Sequence, residues 1–281
     1  MSNCPICNLD PAPNPAGQIP SEGKRLGPGF HVLLTTVFIA ALALTIYYCR
    51  TMSGGMEMPG GWTMSMMWMP MPGQTWLGST VMFMLMWLAM MVAMMLPSYL
   101  PTILRYHRAR RSENDRGALA STSLVMAGYF FVWSAAGAVI YVVGIALAMA
   151  TMRWTTLSRS MPFIIAATIF MAGCMQFMPW TKFGLRECRG SLACGVSISR
   201  RGAWSAWRAG IRSGISCVTC CSGPTLILLA LGMMNPAVIV LVTAMIAMEK
   251  LMPKPELIVR PSGTIAVIVG LIMINRLALF A

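Results

Sequence analysis

Cys217, Cys220 and Cys221 stand at positions i, i+3 and i+4 of an apolar stretch. On a helix that spacing puts three thiols on one face. Thiolates prefer soft cations, so a metal site is the natural chemistry. Small buried thiols used only for helix packing are the alternative. A second sulfur-rich stretch runs from Met52 to Met95, where 15 of the chain's 29 methionines fall within 44 residues. Its first part, MSGGMEMPGGWTMSMMWMPMPG, is rich in Gly and Pro, and its Met spacing fits no helix. Met56, Met58, Met64, Met66, Met67, Met69 and Met71 are candidate ligands there. Pairs such as Met56/Met58 and Met64/Met66 can place two thioethers on one ion. Cu(I) is the first-row ion that takes thioether sulfur most readily, and thioether binds without releasing a proton. The alternative is a hydrophobic loop on the lipid surface, anchored by Trp62 and Trp68.

The Met-rich stretch continues into WLGSTVMFMLMWLAMMVAMMLPSYL. At about 100° per residue, Met84, Met91 and Met95 fall close together on a helical wheel, and Met82, Met86, Met90 and Met94 form a second stripe. One stripe can line a pathway while the other packs. Met91, Met94 and Met95 descend toward the depth of the thiols, and Cys174, Met245, Met248 and Glu249 are placed near the same level. Glu249 is the only acidic residue inside or at the edge of an apolar span, with Lys250 or a loop Arg as its expected partner. Cys188 and Cys194 in a basic segment either pass an ion onward or are inert. Cys4 and Cys7 form a Cys-x-x-Cys in a Pro/Gly-rich tail, suited to a soft metal or redox work.

These groups need elements to hold them. The chain has 57% hydrophobic and 10% charged residues, with mean hydropathy +0.68. Several apolar runs approach or exceed the length of a transmembrane helix, about 18 residues. The expected fold is an all-α, polytopic transmembrane bundle of about seven spans. They are Phe30–Tyr48, Trp76–Tyr99 (ended by Pro97 and Pro101), 119–150, Phe163–Met178, Ile211–Met234, 237–251 and Thr264–Phe280. Residues 1–29 read as a tail too polar for a cleaved signal peptide, and 30–281 as the bundle. The bundle carries an outer Met-rich loop at 50–75 and a cytoplasmic basic segment at 181–210, where Trp204 and Trp207 suggest an interfacial helix. The net charge of +13 follows the positive-inside rule rather than a nucleic-acid surface. Seventeen Lys and Arg alternate onto one side and three onto the other, which puts the N-terminus in the cytoplasm and the Met loop outside. Nine cysteines at irregular spacing form no disulfide framework.

At AMMVAMMLPS (89–98), CMQFMPWTKFGLRECR (174–189), and CVTCC followed by LGMMN and EK (217–250), the chain resembles a bacterial family of predicted metal-binding integral membrane proteins. The similarity covers about residues 76–252. It implies copper-chaperone-like handling of copper in the bacterial inner membrane, with copper oxidases such as tyrosinase as associated enzymes. It also implies Met90, Met91, Met94, Met95, Cys188, Cys217, Cys220, Cys221 and Glu249 as metal-site residues. The chain departs from the family at Gly184, where a second Cys often stands, and at Ser222, where a bulky aromatic often stands.

The resulting expectation is a membrane copper-binding protein, not an enzyme, that captures Cu(I) through Met and Cys sulfur. It then delivers the ion to a copper enzyme or moves it across the lipid bilayer. A structural subunit of a larger membrane complex and a thiol–disulfide oxidoreductase are the competing classes. The oxidoreductase lacks an outer thiol pair, and no phosphate-binding loop for primary pumping is present.

Overall fold

The computed structural model of the chain describes residues 28–52, 54–68, 73, 75–112, 117–181, 184, 202–252 and 256–280. Among these, the apolar runs wind into seven long helices. They are α1 (Pro28–Thr51), α2 (Trp76–Ser112), α3 (Ala118–Arg153), α4 (Thr155–Phe177), α5 (Ala203–Leu231), α6 (Pro236–Leu251) and α7 (Glu256–Phe280). Helices satisfy their own backbone groups, which lipid demands, and six of the seven are long and apolar enough to cross a membrane. The expected all-α polytopic bundle is present. The sixth expected span is a helix, but its 16 residues extend about 24 Å, short of a hydrocarbon core of about 30 Å.

Several boundaries differ from expectation. Helix α2 runs through Pro97 and Pro101 to Ser112, well past its expected end at Tyr99. A proline removes one helical N–H, but Tyr99, Ile103, Tyr106, His107 and Arg110 beyond it stay buried. That stripe anchors the extended helix on α3. His107 Nδ1 lies 3.0 Å from Thr122 Oγ1, and Arg110 reaches Ser121 Oγ at 3.5 Å. Helix α4 begins at Thr155, about two turns before the expected Phe163. Helix α5 begins at Ala203, so Trp204 and Trp207 share one unbroken helix with the three thiols instead of forming a separate interfacial one.

Helix α2 is the most buried of the six long spans and packs against α1, α3 and α6. Helices α3 and α5 run side by side in the same direction and touch along their backbones. A Cβ added at Gly128 would come within 2.7 Å of the Trp207 carbonyl, and one at Gly210 would overlap the Val125 carbonyl. Hydrogen alone fits there, and this close approach of small residues brings Tyr129 to Cys217. Helices α4 and α7 pack antiparallel on the flank.

The stretch read as a loop between α1 and α2 is instead an antiparallel hairpin, β1 (Gly55–Met58) and β2 (Trp62–Ser65), followed by a 3₁₀ turn at Met66–Trp68. Gly60 and Gly61 take positive φ, +110° and +74°, in its turn, which a side chain would resist.

Candidate metal centre

Pairing in the hairpin sets Met56 opposite Met64 and Met58 opposite Trp62. Side chains alternate across a strand, so Met56, Met58, Trp62 and Met64 share one face. Gly55, Glu57, Thr63 and Ser65 take the other. Directly opposite Cβ atoms lie about 5 Å apart, so thioethers from both strands can meet one ion. The face grades from outside to inside: Met56 is 45% exposed, while Met64 is 4% exposed and Met67, in the following turn, is also buried. Two methionines expected to be loop residues are therefore buried.

The hairpin is docked, not loose. Trp62 Nε1 donates to the Ser158 carbonyl at 2.9 Å, and Ser158 Oγ donates to the Pro59 carbonyl at 2.9 Å. Trp68 packs on Phe83 at a centroid distance of 5.6 Å, and its ring lies over Gly144 of α3. Both tryptophans are held by protein, which argues against their use as lipid anchors.

Beneath the hairpin, Met86, Met90, Met91, Met94 and Met95 of α2 are all buried. Methionines of both expected stripes, Met91 and Met95 of one and Met86, Met90 and Met94 of the other, are buried in the bundle. These five methionines, Met67, Cys217, Cys220 and Cys221 belong to one contiguous buried cluster. Tyr48 Oη donates to Met82 Sδ at 4.0 Å near its upper end.

At the lower end the three thiols meet. Their Sγ atoms all lie within 4.8 Å of one another. Cys220 and Cys221 are 3.5 Å apart, and Cys217 and Cys221 are 3.9 Å apart. At a metal–sulfur distance of about 2.3 Å, three sulfurs around a trigonal ion lie about 4 Å apart. The spacing therefore suits one soft ion with little rearrangement. All three thiols are buried. Two further groups bear on Cys217. Tyr129 Oη lies 2.9 Å from its Sγ, and Lys250 Nζ donates to it at 2.9 Å. Lys250 Nζ also donates to Met95 Sδ at 3.9 Å. Tyr129 is itself stacked on Tyr99 of α2, with centroids 4.2 Å apart and an interplanar angle of 9°. Helices α2, α3, α5 and α6 thus converge on Cys217.

Other candidates stand apart. Glu249 and Lys250 are successive residues on α6, about 100° apart around its axis, and only Lys250 turns toward the thiols. The Glu249 carboxylate accepts from Ser262 Oγ at 3.4 Å, and Ser262 also donates to Gln176 Oε1 at 2.8 Å. Among the described residues, neither Glu249 nor Cys174 joins the thiol group, and Met248 is exposed. Gly184 does reach the site. A Cβ there would lie 3.3 Å from the Cys220 backbone nitrogen, yet it contributes no thiol. Cys4, Cys7, Met69, Met71, Cys188, Cys194 and the Met66 side chain lie outside the described residues. Tyr129 was missed in the sequence, although a tyrosine inside an apolar run needs a partner for its hydroxyl. Lys250 was noticed, but for Glu249 rather than for Cys217.

A family model described as "PpoB2: Copper chaperone" matches residues 84–273. The chain belongs to this family. The match takes in the buried Met column of α2, the thiol turn of α5 and Lys250. It leaves the hairpin outside. The family match and the cluster of three thiols together suggest copper binding. No curated protein and no solved structure matches the chain.

Proposed function

We propose that this member of the copper chaperone family is an integral membrane carrier that takes up Cu(I) at the Met face of the hairpin. It passes the ion along the methionines of α2, holds it on Cys217, Cys220 and Cys221, and hands it to a copper enzyme. The observation that carries this is that Met67, the α2 methionines and the three thiols all lie in one buried cluster. Thioethers bind Cu(I) without proton release, and thiolates bind it more tightly. Neighbouring sulfurs can therefore exchange the ion stepwise toward the stronger ligands. Met56, Met58 and Met64 serve capture, with Met66, Met69 and Met71 as further donors. Met90, Met91, Met94 and Met95 serve passage. Cys188 receives the ion beyond the thiols, and Glu249 attracts the cation without ligating it at the thiol turn. The Lys/Arg distribution supports an orientation with the hairpin outside the cytoplasmic membrane and the N-terminus in the cytoplasm.

The test is transfer. Purified protein loaded with Cu(I) is mixed with a metal-free copper oxidase of the tyrosinase type. Carrier function requires oxidase activity to recover faster than with an equal amount of copper held by a small chelator of matched affinity. Recovery no faster than from the chelator refutes delivery.

A further inference from the structure

Lys250 sits at the junction between the two kinds of sulfur. Its Nζ donates to Cys217 Sγ of α5 at 2.9 Å and to Met95 Sδ of α2 at 3.9 Å, while the residue itself belongs to the last turn of α6. It is buried. A hydrogen bond from Nζ occupies one side of each sulfur, and an ion approaching from that side competes with it. The nitrogen lies next to both the last methionine of the α2 column and the first cysteine of the thiol turn. A Cu(I) ion bridging Met95 and Cys217 competes with Nζ for both sulfurs.

We propose that Lys250 is a displaceable stopper that competes with Cu(I) for Cys217 and Met95 and so sets how tightly the thiol site holds its ion. This rests on the proposed copper-carrier function and adds its regulation. Ammonium and amine alike donate N–H, so the competition needs no change of protonation. The four-carbon stem can swing aside without moving α6. When copper leaves, Lys250 returns to the sulfurs, so a bare thiol site is not left to seek solvent or a second ion. Copper must displace that hydrogen bond.

The experiment uses full-length purified protein and Cu(I) titrated against a chromophoric Cu(I) chelator. Wild type is compared with Lys250→Leu, Lys250→Gln, Lys250→Arg and Cys217→Ser. Lys250→Leu removes the donor and is expected to tighten copper binding by about ten- to a hundredfold. Lys250→Gln, neutral and shorter, tightens it less and serves if the Leu variant does not fold. Lys250→Arg keeps a cationic donor and stays near wild type. Leu and Gln variants that bind no tighter than wild type, while wild-type copper still depends on Cys217, overturn the stopper and leave the carrier function standing. Wild-type copper uptake that is indifferent to Cys217→Ser overturns both.

Discussion

At the hairpin, sulfur is thioether, spread over two strands and graded from exposed Met56 to buried Met64. At the turn of α5 it is thiol, compressed into one helical turn, fully buried and in contact with Lys250 and Tyr129. The hairpin's ligands carry no charge and need no deprotonation, so ion arrival and departure there cost little reorganisation. On the proposed reading, the thiols lose protons and shed Lys250 before they hold an ion. The first arrangement suits capture and the second suits retention. Between them lie the buried methionines of α2, in the same cluster as Met67 and the thiols.

Cutting the column should separate the two regions most strongly. With Met90, Met91, Met94 and Met95 all replaced by leucine, each end keeps its ligands except Met95. Leucine for methionine costs under about 1.5 kcal/mol per site. Stopped-flow measurement should show transfer from hairpin to thiols slowed at least about tenfold, equivalent to some 1.4 kcal/mol. Unchanged transfer would mean the column only packs. A smaller effect is expected from Met56→Leu, Met58→Leu and Met64→Leu together. The copper concentration needed for half-maximal loading in cells should rise several-fold, while affinity at the thiols, measured on purified protein, stays put. An equal loss at both ends would erase the distinction between capture and retention. The smallest effect belongs to Trp62→Phe, which removes one hydrogen bond to the Ser158 carbonyl. Hairpin docking should weaken by about 0.5–1.5 kcal/mol, read as faster amide exchange across 55–65. Exchange as slow as in wild type would show that Trp68 and the Ser158–Pro59 hydrogen bond hold the hairpin without it.

The same two regions differ in how far their sequences reveal them. The thiol face follows directly from i, i+3 and i+4 spacing, because helical geometry is local. Apolar length likewise announces every long helix. The hairpin is harder to see: GMEM and WTMS have few β-branched residues, and its pairing is completed by contacts with Ser158, about a hundred residues away. The passage of α2 through Pro97 and Pro101 depends on burial of Tyr99, Ile103 and Tyr106 against α3, which no local rule contains. The same holds for Lys250. Its neighbour Glu249 is the obvious local partner, whereas Cys217 and Met95 come to it only when three helices pack. Tyr129 reaches Cys217 because Gly128 and Gly210 let α3 and α5 touch, a property of the pair rather than of either stretch.

The central claim is that Cys217, Cys220 and Cys221, with methionine sulfur from α2, form a Cu(I) site. Copper-edge X-ray absorption on purified, copper-loaded protein tests it most directly, with wild type measured beside the triple Cys→Ser variant. The wild type should show a Cu(I) edge and a shell of sulfur alone, with copper–sulfur distances near 2.3 Å, about the value for metal–thiolate bonds. The variant should lose the short sulfur shell and most of its copper, keeping only the more weakly held ion at the hairpin. Equal copper content and an identical first shell in both proteins would contradict the site.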